Sequence, residues 1–512
     1  MRKLNKLSRR AGYIAVALLL TFAVASPLQA ATGNAANGKK IYMKKCKWCH
    51  GVEGEADGPA AEFLIPPPRN FAEGVYKYNT SKYDPDISIP RDEDIFNRIS
   101  EGMPGTGMPS WKEVLKEQER WDLVAFVKSL TDLFEGEANP PQIDYSGKIP
   151  SSPESIERGH KLFEDAKCWE CHGREGKGDT MKKLKEDSGA RVWPRNFSKP
   201  WTFRGGYTAE DIFSRITNGI PNTPMPSFHA EKTGTGKLSV EDRWHVVNYV
   251  MSLADENRMV KEGQIVIKGV SREAMPKDEN DPAWNEVSGT AFRLVPQIIQ
   301  KDRFFIPAND LVIVKTVYTE KEIAFLLELD DRTKSIPGDN IAEAISWDGF
   351  SPDAMAIQTP VVIPKLMEKP YFGHGDGSHA VSMLYWNSGS VEKPGTAKMF
   401  TAKGSKSMEE SDVSAAGFSV SASYHDGTWR VMMKRNLTTP NKEKDTQFEV
   451  GRYIPIAFAD WDGSNGERGS KHTMTTWYWL LLQPETGSKV VTYPGAAFIL
   501  LVLGQFLFSA YL

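Results

Sequence analysis

CKWCH at residues 46–50 and CWECH at residues 168–172 are the stretches that decide how the N-terminal half of this 512-residue chain folds. Each contains two cysteines in the C-x-x-C spacing, and together they use every cysteine of the chain. The cysteines are Cys46, Cys49, Cys168 and Cys171. Such pairs occur in disulfides, zinc sites and redox dithiols. Here a histidine, His50 or His172, directly follows each pair.

The histidine after each pair indicates covalent haem of the c type. Two thiols add across the haem vinyl groups, and the adjacent imidazole reaches the iron from the same side. Two such motifs, which leave no cysteine over, predict two covalently attached c haems with His50 and His172 as iron ligands.

The sequence repeats itself around these motifs. PRNF at 68–71 returns at 194–197, DIFNRI at 94–99 returns as DIFSRI at 211–216, and RWDLVAFVKSL at 120–130 returns as RWHVVNYVMSL at 243–253. Two long copies, each large enough for its own core, predict tandem domains rather than a solenoid. We place these domains at residues 35–140 and 150–258.

A glycine- and proline-rich loop in each copy is predicted to supply the second iron ligand. GMPGTGMPSW at 102–111 aligns with GIPNTPMPSF at 219–228, so Met103 faces Ile220 and Met108 faces Met225. Methionine often only fills space in a core, but its sulfur is also a common partner of histidine on c haem iron. Because only the second methionine occurs in both copies, we predict Met108 and Met225 as ligands and Met103 as loop packing.

Each repeat resembles a class I cytochrome c domain, in which an N-terminal helix, the attachment motif, a methionine loop and a closing helix follow one another. The resemblance covers residues 35–255. It implies that the carbonyl of Pro68 or Pro194 accepts a hydrogen bond from the other imidazole nitrogen, and that Arg69 and Arg195 meet haem propionates. Solvated surface arginines are the alternative for the last two.

The two ends of the chain are predicted to be targeting and membrane segments. A basic start and an apolar run from Ala11 to Ala25 are typical of a signal peptide over residues 1–30, and the general secretory route fits better than twin-arginine export. Residues 490–512 carry no charge, so we expect a C-terminal transmembrane helix rather than a buried core helix. The expected location is the periplasmic side of the cytoplasmic membrane, with the chain anchored in membrane lipid.

The charge of the chain argues against nucleic acid as a partner. The formal net charge is −3, and it becomes about −8 without the five basic residues of the N-terminal segment. A negatively charged surface repels phosphate, and no basic stripe stands out elsewhere in the sequence.

Residues 262–487 have a different pattern, in which apolar residues alternate along one face of short strands. Three such sets are Ile323, Phe325, Leu327 and Leu329; Trp429, Val431 and Met433; and Trp477, Trp479 and Leu481. With turn sequences such as YHDG and DWDGSNG, they predict an antiparallel β-sandwich. The predicted fold class is therefore two all-α cytochrome c domains, an antiparallel β-sandwich and a C-terminal transmembrane helix.

The sandwich region resembles the haem-binding gamma subunit found with ethylbenzene dehydrogenase, dimethylsulfide dehydrogenase, selenate and chlorate reductases and nitrite oxidoreductases, which are type II dimethyl sulfoxide reductase family complexes. The motifs that carry this resemblance are LLELDDRT at 326–333, DAMAIQTP at 353–360, YFGHGDG at 371–377, HDGTWRVMMKR at 425–435 and AFADWDGSNGERGSKHTMTTW at 457–477. It implies one non-covalent b haem between His374, at a position that is often methionine, and Lys471. His379 and His472 are alternatives for either ligand.

Together these features predict an electron-transfer subunit with three haems rather than an enzyme. The resemblance implies iron–sulfur and molybdenum subunits as partners on one side, and a soluble cytochrome c or a membrane oxidase or quinone complex on the other. The alternative is a dihaem cytochrome c subunit of a periplasmic dehydrogenase, whose sandwich is a carbohydrate-binding or docking module.

Overall fold

The computed structural model describes residues 33–484, apart from 65, 85–88, 137–138, 181, 231–236, 302, 304–306, 347–348 and 366–367. The chain forms two compact units. One contains residues up to 145 together with 218–222, and the other contains 146–217 together with the residues from 223 onward. The predicted signal peptide at 1–30 lies outside the described residues.

The first unit is helical. Its helices are α1 (Ala35–Lys45), α2 (Lys47–His50), α3 (Asp92–Glu101) and α4 (Glu117–Lys128), with 3-10 turns at Ala61–Phe63 and Asp132–Phe134. Asn34 begins α1, because its side chain accepts the backbone N–H of Asn37. Gly38 lets α1 and α4 cross closely, since a Cβ there would lie 2.0 Å from the carbonyl oxygen of Asp122.

The second unit begins with the same arrangement. Its helices are α5 (Pro153–Asp165), α6 (Trp169–His172), α7 (Ala209–Asn218, whose last residue falls in the first unit) and α8 (Val240–Ser252), with 3-10 turns at Pro200–Thr202 and Glu256–Arg258. Ser152 caps α5, and Pro153 occupies its first position, where a missing N–H costs nothing. Gly159 repeats the close crossing, because a Cβ there would lie 2.0 Å from the carbonyl oxygen of His245.

The rest of the second unit is β-structure. The strands are β1 (Val266–Ser271), β2 (Thr290–Arg293), β3 (Val295–Pro296), β4 (Leu311–Tyr318), β5 (Glu322–Asp330), β6 (Ala354–Pro360), β7 (Val381–Gly389), β8 (Pro394–Ala402), β9 (Glu409–Ser411), β10 (Ser419–His425), β11 (Thr428–Asn436), β12 (Tyr453–Trp461), β13 (Thr473–Met474) and β14 (Tyr478–Leu482). A short helix, α9 (Asn340–Ile345), and 3-10 turns at Pro282–Glu286 and Gly463–Asn465 lie between them.

The strands pair in the order β10-β11-β5-β4-β1-β14-β12-β6-β7-β8-β9, with β2 on β4 and β13 between β12 and β3. The two halves of this path face each other, because Trp386 of β7 and Trp429 of β11, which are far apart in the order, have ring centres 5.0 Å apart. Among the described strand pairs, β1 is parallel to both of its neighbours and the rest are antiparallel. The predicted purely antiparallel pattern is therefore wrong at β1.

Two of the three predicted alternations are confirmed. The side chains of β5 and β11 that were assigned to one face belong to a single buried core. In β14, by contrast, Leu480 and Leu482 enter that core and Trp479 does not, so the predicted face is wrong by one residue. The reason is that every residue of YWLLL is apolar, so alternation cannot set its register.

The predicted fold class is also wrong in its last element. No helix in the described part of the chain is both long and apolar enough to cross a membrane, against the predicted C-terminal transmembrane helix. The segment assigned to that helix, 490–512, lies outside the described residues. The corrected fold class is cytochrome c domains followed by a β-rich domain.

Candidate haem sites

The two attachment motifs fold into the same helical turn. His50 N donates a hydrogen bond to the carbonyl oxygen of Cys46 at 3.0 Å, and His172 N donates to that of Cys168 at 3.0 Å. Residues three and four apart lie on one side of a helix. Each turn therefore presents both of its thiols and its imidazole to the same side.

All four cysteines are free thiols, so the disulfide alternative is excluded in this structure. Burial raises the pKa of Cys46 to about 12 and that of Cys168 to about 12, and it also raises the pKa of Cys171. A reactive dithiol works through a thiolate, which a raised pKa disfavours. The thiol environment therefore does not favour a reactive dithiol.

The two imidazoles are held in similar pockets. The His50 ring stacks on Phe71 with centres 4.6 Å apart, and the His172 ring stacks on Phe197 at 4.5 Å. Burial lowers the pKa of His50 and lowers that of His172 to about 4. Both side chains are therefore neutral near pH 7, which is the form that binds iron.

The carbonyl that orients the first imidazole is one residue later than predicted. His50 Nδ1 lies 3.0 Å from the carbonyl oxygen of Arg69, not of Pro68. In the second domain the carbonyl of Arg195 is near His172 and offsets part of the lowering of its pKa, but His172 Nδ1 makes no hydrogen bond of normal geometry among the described residues. The carbonyl of Pro194 lies close to Gly178. The carbonyl of the arginine in PRNF, rather than that of the proline, therefore faces the ring of His50. Sequence spacing could not distinguish two consecutive carbonyls.

The two methionine loops share the same local hydrogen bonds. Met108 N donates to Thr106 Oγ1 at 3.1 Å, and Met225 N donates to Thr223 Oγ1 at 3.3 Å. Met103 has a different role, because its N–H donates to the carbonyl oxygen of Met108 at 3.1 Å and closes the first loop on itself. The structure thus treats Met108 and Met225 as equivalent residues.

Each methionine loop is also hydrogen-bonded to the helix that precedes it. Ser110 Oγ donates to the carbonyl oxygen of Ser100 at 2.6 Å, and Ser227 Oγ donates to that of Thr217 at 2.6 Å. The guanidinium of Arg243 then donates to Thr217 Oγ1 at 2.6 Å, and the equivalent arginine of the first domain does the same to Ser100. This arginine belongs to the RW dipeptide that occurs in both repeats, so the repeat is the feature of the sequence from which its role could have been found.

In the β-rich domain His374 has the properties of a candidate iron ligand. Its backbone is in the left-handed region, with φ of 72°, which is uncommon for a residue other than glycine and is often found at functional sites. Its Nδ1 is buried and has no hydrogen-bond partner among the described residues. Burial lowers the pKa of His374, so the imidazole is neutral.

The three other residues predicted as possible iron ligands in this domain differ in their exposure to solvent. Lys471 is exposed. His472 is buried and donates a hydrogen bond from Nδ1 to the Gly469 carbonyl oxygen at 3.0 Å. Its pKa is lowered to about 4, mainly by burial and partly by the charge of His374. His379 is exposed and pairs with Asp376 at 3.0 Å. The structure therefore brings His374 close enough to His472 for their charges to interact, whereas the side chains of Lys471 and His379 are exposed.

The second cytochrome c domain packs on the β-rich domain through charged groups that motif analysis did not single out. Lys199 Nζ lies 2.7 Å from Asp310 and 3.0 Å from Asp330. Burial and the positive charge of Arg195 both lower the pKa of Arg332. Both arginines are half-buried, and Asp310, Asp462 and Asp331 also act on the charge of Arg332, so the contact of Arg195 with a haem propionate stays a prediction. These contacts join residues more than a hundred positions apart, so sequence spacing carried no signal for them.

Comparison with known proteins agrees with this geometry. Residues 35–131 and 156–254 match the cytochrome c family, and residues 405–473 match the ethylbenzene dehydrogenase family. The cytochrome c of Guizotia abyssinica is 30% identical over 114 residues, which are 21% of this chain and 99% of that protein. Through its two N-terminal domains, the chain belongs to the cytochrome c family.

Two further relatives each match about two fifths of this chain. A protein of Haloferax mediterranei, provisionally described as a respiratory nitrate reductase haem subunit, is 25% identical over 221 residues, or 42% of this chain and 71% of that protein. A chain of the reducing HAO-like protein complex of Kuenenia stuttgartiensis is 37% identical and covers 43% of this chain and 97% of its own length, with a TM-score of 0.39. The two cytochrome c matches and the Haloferax relative together support a multihaem cytochrome of the electron-transfer type.

Proposed function

We propose that this chain is a triple-haem electron-transfer subunit that connects the iron–sulfur subunit of a molybdoenzyme with a second redox partner. The observation that carries the proposal is the combination, in one chain, of two matching cytochrome c sites with a β-rich domain in which His374 Nδ1 is buried and has no hydrogen-bond partner among the described residues. No residue of the described chain is assigned a substrate-converting role.

The residues of the two cytochrome c sites fit covalent haem. Cys46 and Cys49 would hold the first haem and Cys168 and Cys171 the second, through thioether bonds. His50 with Met108, and His172 with Met225, would bind the two irons. Haem held in this way would carry one electron by alternating between ferric and ferrous iron. Both axial positions would then be filled, which favours electron transfer over catalysis.

The residues of the β-rich domain also fit a haem, which would be non-covalent and of the b type. His374 supplies a neutral imidazole whose Nδ1 lacks a partner. We propose Lys471 as the second ligand, as the family resemblance implies, and lysine must lose its proton to bind iron. His472 is the competing ligand, because it is buried and close to His374 in the structure.

The partner is proposed from the relatives. The respiratory nitrate reductase description of the Haloferax protein and the ethylbenzene dehydrogenase match support a molybdenum enzyme with an iron–sulfur subunit. Nitrite oxidation or nitrate reduction is the chemistry that we propose for that partner. The other redox partner would be a soluble cytochrome c or a respiratory oxidase or quinone complex, and the proposed compartment is the periplasm.

Haem extraction from the purified full-length protein tests the proposal. Acidic acetone should release one haem per chain and leave two covalent haems, which a pyridine haemochrome assay counts. Two covalent haems with no extractable third would refute the triple-haem proposal and favour a dihaem cytochrome with a docking module. Identification of the large subunit that co-purifies with the native protein would test the partner, and a subunit without molybdenum would exclude it.

A further inference from the structure

Three buried carboxylates meet at one end of the β-rich domain, outside the candidate haem ligands. Asp331 directly follows β5, Asp353 directly precedes β6, and Asp462 directly follows β12. Each is 1% exposed, and one ligand atom from each lies within 4.8 Å of the others. They come from three of the motifs that carry the family resemblance, although no single motif reveals the cluster.

Asp353 is surrounded by hydrogen-bond donors. Its Oδ1 accepts the N–H of Gly463 at 2.8 Å, and its Oδ2 accepts the N–H of Ser335 at 2.7 Å and Trp429 Nε1–H at 2.9 Å. Hydrogen bonds from N–H groups favour the ionised form of a carboxyl group. These donors fix both oxygens of Asp353 and offset part of the cost of burying its charge, although burial and the neighbouring Asp462 still raise its pKa.

Asp462 is held in the same way. Its Oδ1 accepts the N–H and the hydroxyl of Ser464 at 2.9 and 2.7 Å, and the N–H of Asn465 at 3.1 Å. The Ser464 hydroxyl in turn accepts a hydrogen bond from Thr333 at 2.7 Å. Neutral hydroxyl oxygens therefore lie beside the carboxylates.

Two buried carboxylate oxygens at this cluster have no hydrogen-bond partner among the described residues. Asp331 Oδ2 is buried and has no hydrogen-bond partner among the described residues, while Oδ1 accepts the N–H of Thr333 at 3.0 Å. Glu467 is 0% exposed, and its Oε2 also lacks a hydrogen-bond partner there. Buried carboxylate oxygens without partners cost several kcal/mol unless a proton or a cation compensates them.

We propose that Asp331, Asp353 and Asp462 bind a divalent cation, and that this cation is Ca²⁺. The donors are oxygen atoms only, which hard cations prefer, and the cluster contains no imidazole or thiolate that would favour zinc. A divalent cation offsets two charges at once, whereas a shared proton offsets one. Ca²⁺ also accepts six to eight ligands in irregular geometry, as loops from three strand ends would provide.

The site lies where the second cytochrome c domain packs on the β-rich domain. Asp330, next to Asp331 in the chain, pairs with Lys199 of the cytochrome c domain at 3.0 Å. Asn465, next to Ser464, accepts a hydrogen bond from Arg191 of that domain. Bound Ca²⁺ would therefore fix the loops on which the domain packs, and this role does not depend on the proposed haem of the β-rich domain.

Metal analysis and calcium-dependent unfolding of the full-length holoprotein test this site. Protein purified without chelator should contain about one Ca²⁺ per chain. Thermal unfolding, followed by tryptophan fluorescence, should occur about 5 °C higher in 1 mM CaCl2 than in EGTA, with a smaller effect of MgCl2. Less than about 0.1 Ca²⁺ per chain together with the same unfolding temperature in both solutions would overturn the proposal and favour a shared proton.

Variants locate the site. Asp331→Asn keeps the side-chain shape, should lower the Ca²⁺ affinity at least about tenfold and should abolish the calcium-dependent shift. The matched control is Asp445→Asn, because Asp445 is also buried with one unpartnered oxygen but bonds to Thr439, outside the cluster. A calcium effect that survives in Asp331→Asn, or that disappears in Asp445→Asn, would place the cation elsewhere. The wild-type measurements decide the proposal even if a variant fails to fold.

Discussion

Replacing Lys199 with methionine should weaken the packing of the second cytochrome c domain on the β-rich domain. The side chain of Lys199 is 9% exposed, and its ammonium pairs with Asp330, which is 10% exposed, and with Asp310, which is 53% exposed. Methionine keeps most of the buried apolar stem and removes only the charge. The variant therefore isolates the electrostatic part of this contact.

The expected loss in the free energy of unfolding follows from how deeply each carboxylate is buried. Removing one partner of a buried ion pair costs about 3–5 kcal/mol, because it leaves a buried charge without compensation. The pair with Asp310 adds little, since exposed pairs contribute about 0–1 kcal/mol. Arg258 still pairs with Asp330 in the variant. We therefore expect the free energy of unfolding to fall by about 3 kcal/mol, which is the lower end of the range for a buried ion pair.

Urea unfolding of the full-length holoprotein, followed by tryptophan fluorescence, measures this loss. With a slope of roughly 3 kcal/mol per M, the midpoint should fall by about 1 M. The matched control is Lys148→Met, because Lys148 pairs with Glu210 at 2.7 Å but the two side chains are 48% and 38% exposed. A midpoint that Lys199→Met leaves unchanged, or that both variants lower equally, would refute the reasoning.

The same ion pair predicts a pH dependence. Burial alone would raise the pKa of Asp330, but the charges of Lys199 and Arg258 outweigh burial and lower the pKa to about 2. Because the folded pKa lies below the unfolded value of about 3.9, the stabilisation is present above pH 4 and is lost as the pH falls toward 2. Acid titration of unfolding should show this loss in the wild type and a smaller one in Lys199→Met. Equal acid sensitivity of both proteins would contradict it.

The remaining predictions concern the iron ligands. Met108→Ala and Met225→Ala should each abolish one low-spin histidine–methionine signal in optical and electron paramagnetic resonance spectra, while Met103→Ala should keep both; loss of a signal in Met103→Ala alone would show that the repeat alignment is wrong. His374→Ala should remove the extractable haem or make it five-coordinate while both covalent haems remain, His374→Met should restore six-coordination at a higher potential, and Lys471→Ala should resemble His374→Ala. A Lys471→Ala variant with unchanged spectra would exclude that lysine and favour the buried histidine next to it.

Local sequence was sufficient for the cytochrome c domains. Two cysteines and a histidine within five residues specify covalent attachment of haem. Because these residues are three and four positions apart, a helical turn places all three side chains on one side. The internal repeat then separated Met108 from Met103 without any structure. Both conclusions depend on residues close in the chain or on a direct comparison of two copies.

Sequence was less informative in the β-rich domain. Alternating residues predicted the core faces of β5 and β11, where charged residues such as Glu328 and Arg430 mark the opposite face. The same rule failed in β14, whose residues are all apolar, and it could not reveal that β1 is parallel to its neighbours. The choice between Arg69 and Pro68 as the acceptor for His50 also required the path of the backbone.

The sequence by itself determined the chemistry of covalent haem attachment, the duplication and the candidate methionine ligands, because these are fixed by short spacings in the chain. Only the tertiary structure brought Asp331, Asp353 and Asp462 together, placed Lys199 against Asp330 and put His374 near His472. The residues in each of these groups are separated by about twenty to more than a hundred positions. Their proximity depends on which strands pair and how the domains pack. Burial of the whole core determines both, so no short stretch of sequence predicts them.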